Sequence, residues 1–363
     1  MFIQKFTTLF KDVTRQGTKI PKEEYLTHGK NIIIDQGQDI IAGYTNCEDG
    51  IFKKIPAIVF GDHTRIIKYV DTPFFLGADG VKVLKCTDKN ANYRYLYYAL
   101  KNAHIPNTGY NRHFKWLKEI TINYPDKNRQ NDIVNILDKL EYIIKMKSQE
   151  LDKFDELIKA RFVEMFGDPQ DSKSKWKKST IEKCCTLKSG KTLPRNIENE
   201  GGNIPYVKVK DMNSLENTTY ITTSTRFVSD KTANKSIFPV GTVIFPKRGG
   251  AIGTNKKRLT KVPICADLNI MGVIPDNTRI SSYYLFEYFN MVDLNTLNNG
   301  SSVPQINNKD INPLNINIPP LSLQNEFANF VHQVDKSKFE NIVYLNKTLS
   351  SKILSQLGDA IRD

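Results

Sequence analysis

The stretch INIPPLSLQNEFANFV, Ile316 to Val331, occurs earlier in the same chain as INYPDKNRQNDIVNIL, Ile122 to Leu137, with Gln324 and Gln130 lying 194 residues apart. Each copy opens with a strand-like IxxP lead-in. Past the proline each turns to a helical rhythm, with Asn or Ser and an acidic residue, Asp132 or Glu326, near its start. In the first copy Ile133, Leu137, Leu140, Ile144, Leu151, Phe154 and Ile158 recur at steps of three and four, and Lys147 stands where the seam expects an apolar residue. In the second, Phe327, Val331, Val334, Ile342, Leu345, Leu349, Ile353 and Leu357 do likewise. Such narrow stripes mark helices packed along a seam, and roughly 35 residues at about 1.5 Å each give rods of about 50 Å. A lone stripe would dock on its own domain. A duplicated one favours two helices packed on each other, most simply antiparallel.

The duplication reaches further upstream. Gly17-Thr18-Lys19-Ile20-Pro21 resembles Gly190-Lys191-Thr192-Leu193-Pro194, and Ile58-Val59-Phe60 resembles Val243-Ile244-Phe245. The segments YLYYALKN from Tyr95 and YYLFEYFN from Tyr283 both read as short aromatic helices. The matches keep their order but not their spacing, so a constant frame carries loops that differ. The expected class is α+β, with two similar mixed domains at 1–124 and 169–319. Each is followed by a long helix, 125–168 and 320–363, and the two helices form an antiparallel coiled coil. GDPQDSKSK, Gly167 to Lys175, reads as the linker.

A length of 363 residues independently suggests two cores, and 39% hydrophobic with 25% charged residues describes ordinary folded protein. The net charge of +13 makes a polyanion a plausible partner, and its distribution is uneven. Residues 173–261 hold 19 basic and 6 acidic side chains, whereas 262–363 hold 7 and 10. Five scattered cysteines (Cys47, Cys86, Cys184, Cys185 and Cys265) form no CxxC pair, which fits a reducing cytoplasm. No run of about 18 apolar residues suggests a membrane span.

Motifs of catalysis are missing from the sequence. Ser189-Gly190-Lys191-Thr192 ends like a phosphate-binding loop, but Cys185 occupies the position where that loop needs its first glycine. His28, His63, His104, His113 and His332 show no metal-ligand spacing. No [DNS]PP[YFW] run and no PD…(D/E)xK arrangement is found. FPKRGGAIGTNKKR, Phe245 to Arg258, is more informative: glycines let a backbone approach a ligand, and the cations suit phosphate oxygens or guanine edges. Lys247, Arg248, Lys256, Lys257 and Arg258 are therefore the leading candidates for DNA contact, with Lys191, Thr192, Lys208 and Lys210 beside them. GDHTR from Gly61 occupies the matching place in the first domain, nominating His63 and Arg65. TGYNRHFKW from Thr108 matches SSVPQINNK from Ser301, adding Tyr110, Arg112, His113 and Lys115 in one domain and Gln305 in the other.

With INIPPLSLQNEF and INYPDKNRQNDI leading into the helices, KARFVEMFGDP closing the first, and WKKSTIEKC, SGKTLPR and IPYVKVKDM opening the second domain, the chain resembles the specificity subunits of type I restriction-modification systems. IIIDQGQDIIAGYTN, Ile32 to Asn46, is similar to the opening of many first domains in that family. The resemblance covers essentially the whole chain. It implies two target-recognition domains that read a bipartite, asymmetric site on double-stranded DNA, held at fixed spacing by the helices. It also implies docking of two modification subunits and of motor-nuclease subunits, and these would bring S-adenosylmethionine, ATP and magnesium. The chain itself would carry no catalytic site, metal or cofactor, and would work in the prokaryotic cytoplasm at the nucleoid. The readings against which this stands are a self-sufficient methyltransferase or nuclease with an unrecognised motif, and a coiled-coil scaffold with no DNA role.

Overall fold

The computed structural model describes residues 2–77, 79–109, 111–169, 174–234, 236–297, 300 and 303–344. Residues 170–173 of the expected linker therefore lie outside the described residues. The chain divides into two compact units, Met1–Gln149 with Asn341–Asp363, and Glu150–Glu340. The topology of the first is repeated in the second, which is the structural meaning of the repeated sequence.

In the first unit a four-stranded antiparallel sheet has the spatial order Phe10–Asp12, Val81–Cys86, Ala57–Gly61, Ile67–Val70. A smaller mixed sheet sets Asn31–Ile34 between Gly43–Thr45 and Phe74–Leu76. Phe2–Lys5 pairs with Thr121–Tyr124, the strand of the repeated lead-in. The second unit uses Cys185–Ser189, Ile270–Pro275, Val243–Pro246, Arg258–Thr260 and Tyr220–Ile221 for its large sheet. Ile204–Val207 lies between Phe227–Val228 and Cys265–Ala266 in the small one, and Lys177–Thr180 pairs with Asn315–Ile318.

The recurring IVF and VIF strands are apolar at every position because both of their faces are covered. Ile58 and Phe60 pack against the aromatic helix Tyr93–Lys101, while Ala57 and Val59 face the small sheet. Val243 and Phe245 likewise join the cluster of the second aromatic helix, Ser282–Met291, and Ile244 joins the other. A period of two on a strand sandwiched between layers requires this pattern.

The repeated glutamines lock each long helix to its aromatic helix. Gln130, buried, donates through Nε2 to the Pro125 carbonyl (2.8 Å) and accepts from the Asn92 amide (3.0 Å). Gln324, also buried, donates to the Pro319 carbonyl (2.8 Å) and accepts from the Ser281 amide (2.7 Å). Asn92 and Ser281 are the N-caps of the two aromatic helices. The tyrosines Tyr95 and Tyr284 then donate to the Asn123 and Asn317 carbonyls of the lead-in strands. Truncating Gln324 to Ala orphans a buried donor and a buried acceptor, which costs about 2–3 kcal/mol. Urea unfolding of Gln324→Ala should show that loss, and an Asn325→Ala control, one residue away and exposed, should not.

The first long helix, Lys127–Phe166, is about 60 Å long at about 1.5 Å per residue. The second is Leu321–Tyr344. Within the second unit Lys338 pairs with Asp155, and Arg161 with Glu326 at 3.1 Å, so position rises on one helix as it falls on the other and the pair is antiparallel. In the first unit Lys147 donates to Asn341 Oδ1 at 2.9 Å. These residues are 194 apart, the repeat offset, so the lysine that interrupts the apolar stripe meets its own counterpart in the other copy.

The stripe is not one continuous zipper. Leu137 and Leu140 enter the first unit's core, with Ile144 half-buried beside it. Ile158, Val331 and Val334 enter the second unit's core, where Phe154 is half-buried, and Leu151 is of intermediate exposure. Ile342, expected in the seam, is instead 43% exposed. Neighbouring helical residues project about 100° apart, so when Asn341 faces Lys147 the next side chain is turned away. Leu345, Leu349, Ile353 and Leu357 lie outside the described residues.

Candidate nucleic-acid interface

In each unit two loops converge at the same end of the large sheet. In the second unit Lys247, leaving strand Val243–Pro246, accepts at its carbonyl from the Ile306 amide (2.9 Å), and the Gly249 amide donates to the Pro304 carbonyl (2.8 Å). Gly249 has φ +71°, a backbone state that favours glycine and turns the chain back here. Five polar side chains gather at this corner. Lys247 Nζ donates to Ser189 Oγ (2.8 Å), the exposed Arg248 donates to Gln305 Oε1 (3.4 Å), and Gln305 Nε2 donates to Asn307 Oδ1 (2.8 Å). Burial, and then the neighbouring Arg248, lower the pKa of Lys247. The GGAIG segment is a 3-10 turn, Gly249–Thr254, pinned by the buried Ile252.

Lys191 and Thr192 are exposed nearby. The Lys191 amide donates to the Ala266 carbonyl (2.8 Å), and a Cβ on Gly190 would lie 2.1 Å from the Asp267 carbonyl oxygen. Glycine at 190 therefore serves a close backbone crossing. Lys208 is paired with Glu198, which also lies 3.6 Å from Arg226, whereas Lys210 is exposed. Lys256 donates to Asn213 Oδ1.

Two of the expected DNA-contacting cations are turned onto carbonyls of the fold. Lys257 is 4% exposed, and its ammonium donates to the Val292 carbonyl (2.6 Å) and to Asn255 Oδ1 (2.8 Å). Arg258 donates from Nε to the Asn217 carbonyl (2.5 Å) and from Nη2 to the Met212 carbonyl (3.0 Å). The physical reason is strand register: Arg258 begins strand Arg258–Thr260 opposite Ile244, and its side chain reaches back along the sheet.

Burial pushes the pKa of Lys257 down to about 8. The sign of the consequence is fixed by linkage: below pH 8 both folded and unfolded states carry the proton and the full desolvation cost is felt. Between about 8 and the ordinary lysine value of 10.5 the folded state has released its proton and the unfolded state has not, so stability rises with pH. Lys257→Met should therefore flatten the stability-versus-pH curve by about 2 kcal/mol between about pH 7.5 and 9.5, read by urea unfolding at those two values.

In the first unit the corresponding turn, Gly61–Arg65, meets the loop before Phe114–Leu117. The Asp62 carbonyl accepts from the His113 amide (2.8 Å) and lies 3.0 Å from His113 Nδ1, while its carboxylate accepts from the Phe114 amide (2.7 Å). His113, expected among the reading residues, is fully buried by this lock and does not face solvent. Arg65, at φ +64°, donates to the Ile105 carbonyl (3.0 Å). The His63 amide donates to Gln36 Oε1 at 3.2 Å, and Thr64 Oγ1 donates to the Gln36 carbonyl at 2.6 Å. Gln36, 27 residues from His63, carries no sequence signal for this role. Arg112 and Lys115 are exposed, the latter over the Trp116 ring. Tyr110 lies outside the described residues.

Among the described residues no His, Cys, Asp and Glu group is arranged to hold a metal, and no helix is long and apolar enough to cross a membrane.

Residues 8–153 and 173–350 match the family described as type I restriction modification DNA specificity domain. The specificity subunit of the type I restriction enzyme EcoR124I/EcoR124II of Escherichia coli is 24% identical over 330 residues, 84% of this chain and 79% of that one. The MjaIX specificity subunit of Methanocaldococcus jannaschii is 22% identical over 68% of this chain and 59% of its own length. Among solved structures, the type I restriction-modification S subunit from M. genitalium superposes with TM-score 0.57 at 18% identity, covering 100% of this chain and 96% of that one. With both halves matched, the chain belongs to the family of type I restriction-modification DNA specificity proteins.

Proposed function

We propose that this chain is the non-catalytic DNA-recognition subunit of a type I restriction-modification complex, with residues 1–124 and 169–319 as target-recognition domains and 125–168 and 320–363 as spacer helices. The observation that carries the reading is the repeated convergence of two loops at one end of each large sheet, bearing Lys247, Arg248 and Gln305 in one unit and His63 and Arg112 in the other. Each corner reads one part of a bipartite site on duplex DNA. Lys191, Lys210 and Lys256 supply phosphate contacts and salt dependence, and Arg248 and Gln305 supply base discrimination. Lys257, Arg258 and His113 hold those loops in place. Two modification subunits dock on the chain and bring S-adenosylmethionine, and motor-nuclease subunits bring ATP and magnesium, in the cytoplasm at the chromosome.

The test is co-expression with the neighbouring modification subunit and genome-wide mapping of methylated adenine. A bipartite motif that disappears when this chain is omitted is the expected result; methylation with no such motif would refute the reading. Exchanging residues 176–315 for those of a relative should change one half-site alone, and a change in both would refute independent readers.

A further inference from the structure

The inward-turned Arg258 has a counterpart that the sequence repeat does not reveal. Val59 and Ile244 hold equivalent places in the central strands, and their cross-strand partners are Lys68 and Arg258 respectively. Lys68 is 5% exposed, lies 3.6 Å from Asp35, and donates to the Asp39 carbonyl at 2.5 Å. Thus in each unit a cation at one register position of the large sheet grips main-chain carbonyls of the loop that follows the central strand of the small sheet. The loops are 35–42 after Asn31–Ile34, and 208–219 after Ile204–Val207.

Each loop is also tied from within. Asp35 accepts from the Gly37 amide (2.7 Å) in the first. In the second, buried Asp211 accepts from the Lys208 amide (2.8 Å) and Thr225 Oγ1 (2.9 Å), and fully buried Asn217 donates to the Asp211 and Thr223 carbonyls (3.0 Å each). Yet among the polar side chains these braced loops expose, each also holds out large apolar ones. Leu215 is 91% exposed, Ile40 65% and Ile41 38%. A single exposed leucine needs no explanation. The same anomaly at the equivalent loop of both units, each fixed by an inward-turned cation, does.

We propose that Leu215 and the pair Ile40-Ile41 are apolar reading tips that pack against base pairs in the groove, on thymine methyls or into an opened base step. The inference rests on the DNA-recognition reading above and adds to it residues of a class that charge patterning cannot find. Base edges fit better than an apolar protein surface because two cations, Lys210 and Lys256, serve the loop that carries Leu215, against one exposed carboxylate, Glu216. Lys210 is exposed five residues before Leu215, and Lys256 reaches the same loop through Asn213. Apolar side chains touching thymine methyls or wedged between steps contribute to specificity without phosphate contact, and their loss leaves the salt dependence unchanged.

The experiment uses the full chain in complex with the modification subunit and a duplex carrying the mapped site, with Leu215→Ser, Ile40→Ser and, as a charge control, Arg248→Ala. Leu215 is almost fully exposed, so its replacement leaves folding intact. Leu215→Ser is expected to lower affinity for the specific duplex roughly 10-fold and relax one half-site, with the salt slope and non-specific binding unchanged. Ile40→Ser should relax the other half-site. If Arg248→Ala weakens binding but Leu215→Ser and Ile40→Ser leave affinity and motif intact, the tips do not read bases while the DNA-recognition reading stands. If none of the three changes binding, that reading itself fails. Loss of the modification subunit from Leu215→Ser complexes at unchanged specificity would mark the tip as a protein contact and overturn the proposal.

Discussion

Replacing Lys247 and Arg248 together with alanine is expected to weaken binding to the mapped duplex by about 100-fold and to lower the salt slope by about one to two. Arg248 is exposed and meets Gln305 Oε1 through one terminal nitrogen at 3.4 Å. A guanidinium placed on a guanine edge contributes about 1–3 kcal/mol of discrimination. Lys247 differs: partly buried and tied to Ser189, it has already lost much of its hydration and side-chain entropy in the free protein. A preorganised cation gives more binding energy per contact than a free one, because less remains to be ordered. Neither substitution touches an apolar cluster, so the melting curve should be unchanged. The measurement is a titration at two salt concentrations; unchanged affinity and slope would remove this corner from the interface.

The frame is readable from sequence because the repeat encodes bonds. Proline, the glutamine five residues on and the aromatic helix recur because Gln130 and Gln324 each satisfy a proline carbonyl and the cap amide of that helix. Tyr95 and Tyr284 recur for a similar reason. The site is less readable, and the reason is strand register. In the run Lys256-Lys257-Arg258 three cations are chemically alike, yet the backbone turns Lys257 into the core and sends Arg258 across the sheet. Lys68, which does in the first unit what Arg258 does in the second, stands in the unremarkable segment Ile67–Val70 and offers no signal at all. His113 resembles a reader because its neighbours in sequence are polar, but its ring is the lock on Asp62. Pairings between residues distant in sequence decide these fates, and periodicity does not report them.

Phe162→Ala is expected to destabilise the second unit by about 3–5 kcal/mol, the range for emptying an aromatic site in a core that cannot collapse. Its ring is fully buried among Phe166 (centroids 5.1 Å), Phe327 (5.4 Å) and Tyr284 (5.1 Å), so it joins the end of the first long helix, the start of the second and the aromatic helix. Phe162 and Phe166 are four apart and share one helix face, which is why KARFVEMF carries two aromatics at that spacing. The loss should be local. The first unit's cluster draws on Ile133, Val134, Leu137 and Leu140 and contains none of these rings, so it should keep its own stability. Hydrogen exchange can separate the outcomes: in Phe162→Ala, amides of 150–166 and 321–340 should lose protection while those of Tyr93–Lys101 keep it. Leu157→Ala, at a position 46% exposed on the same helix, should change little. An equal loss of protection across both units would show that they unfold as one, and a cost below about 1 kcal/mol would show that this aromatic cluster does not hold the helix to the second unit.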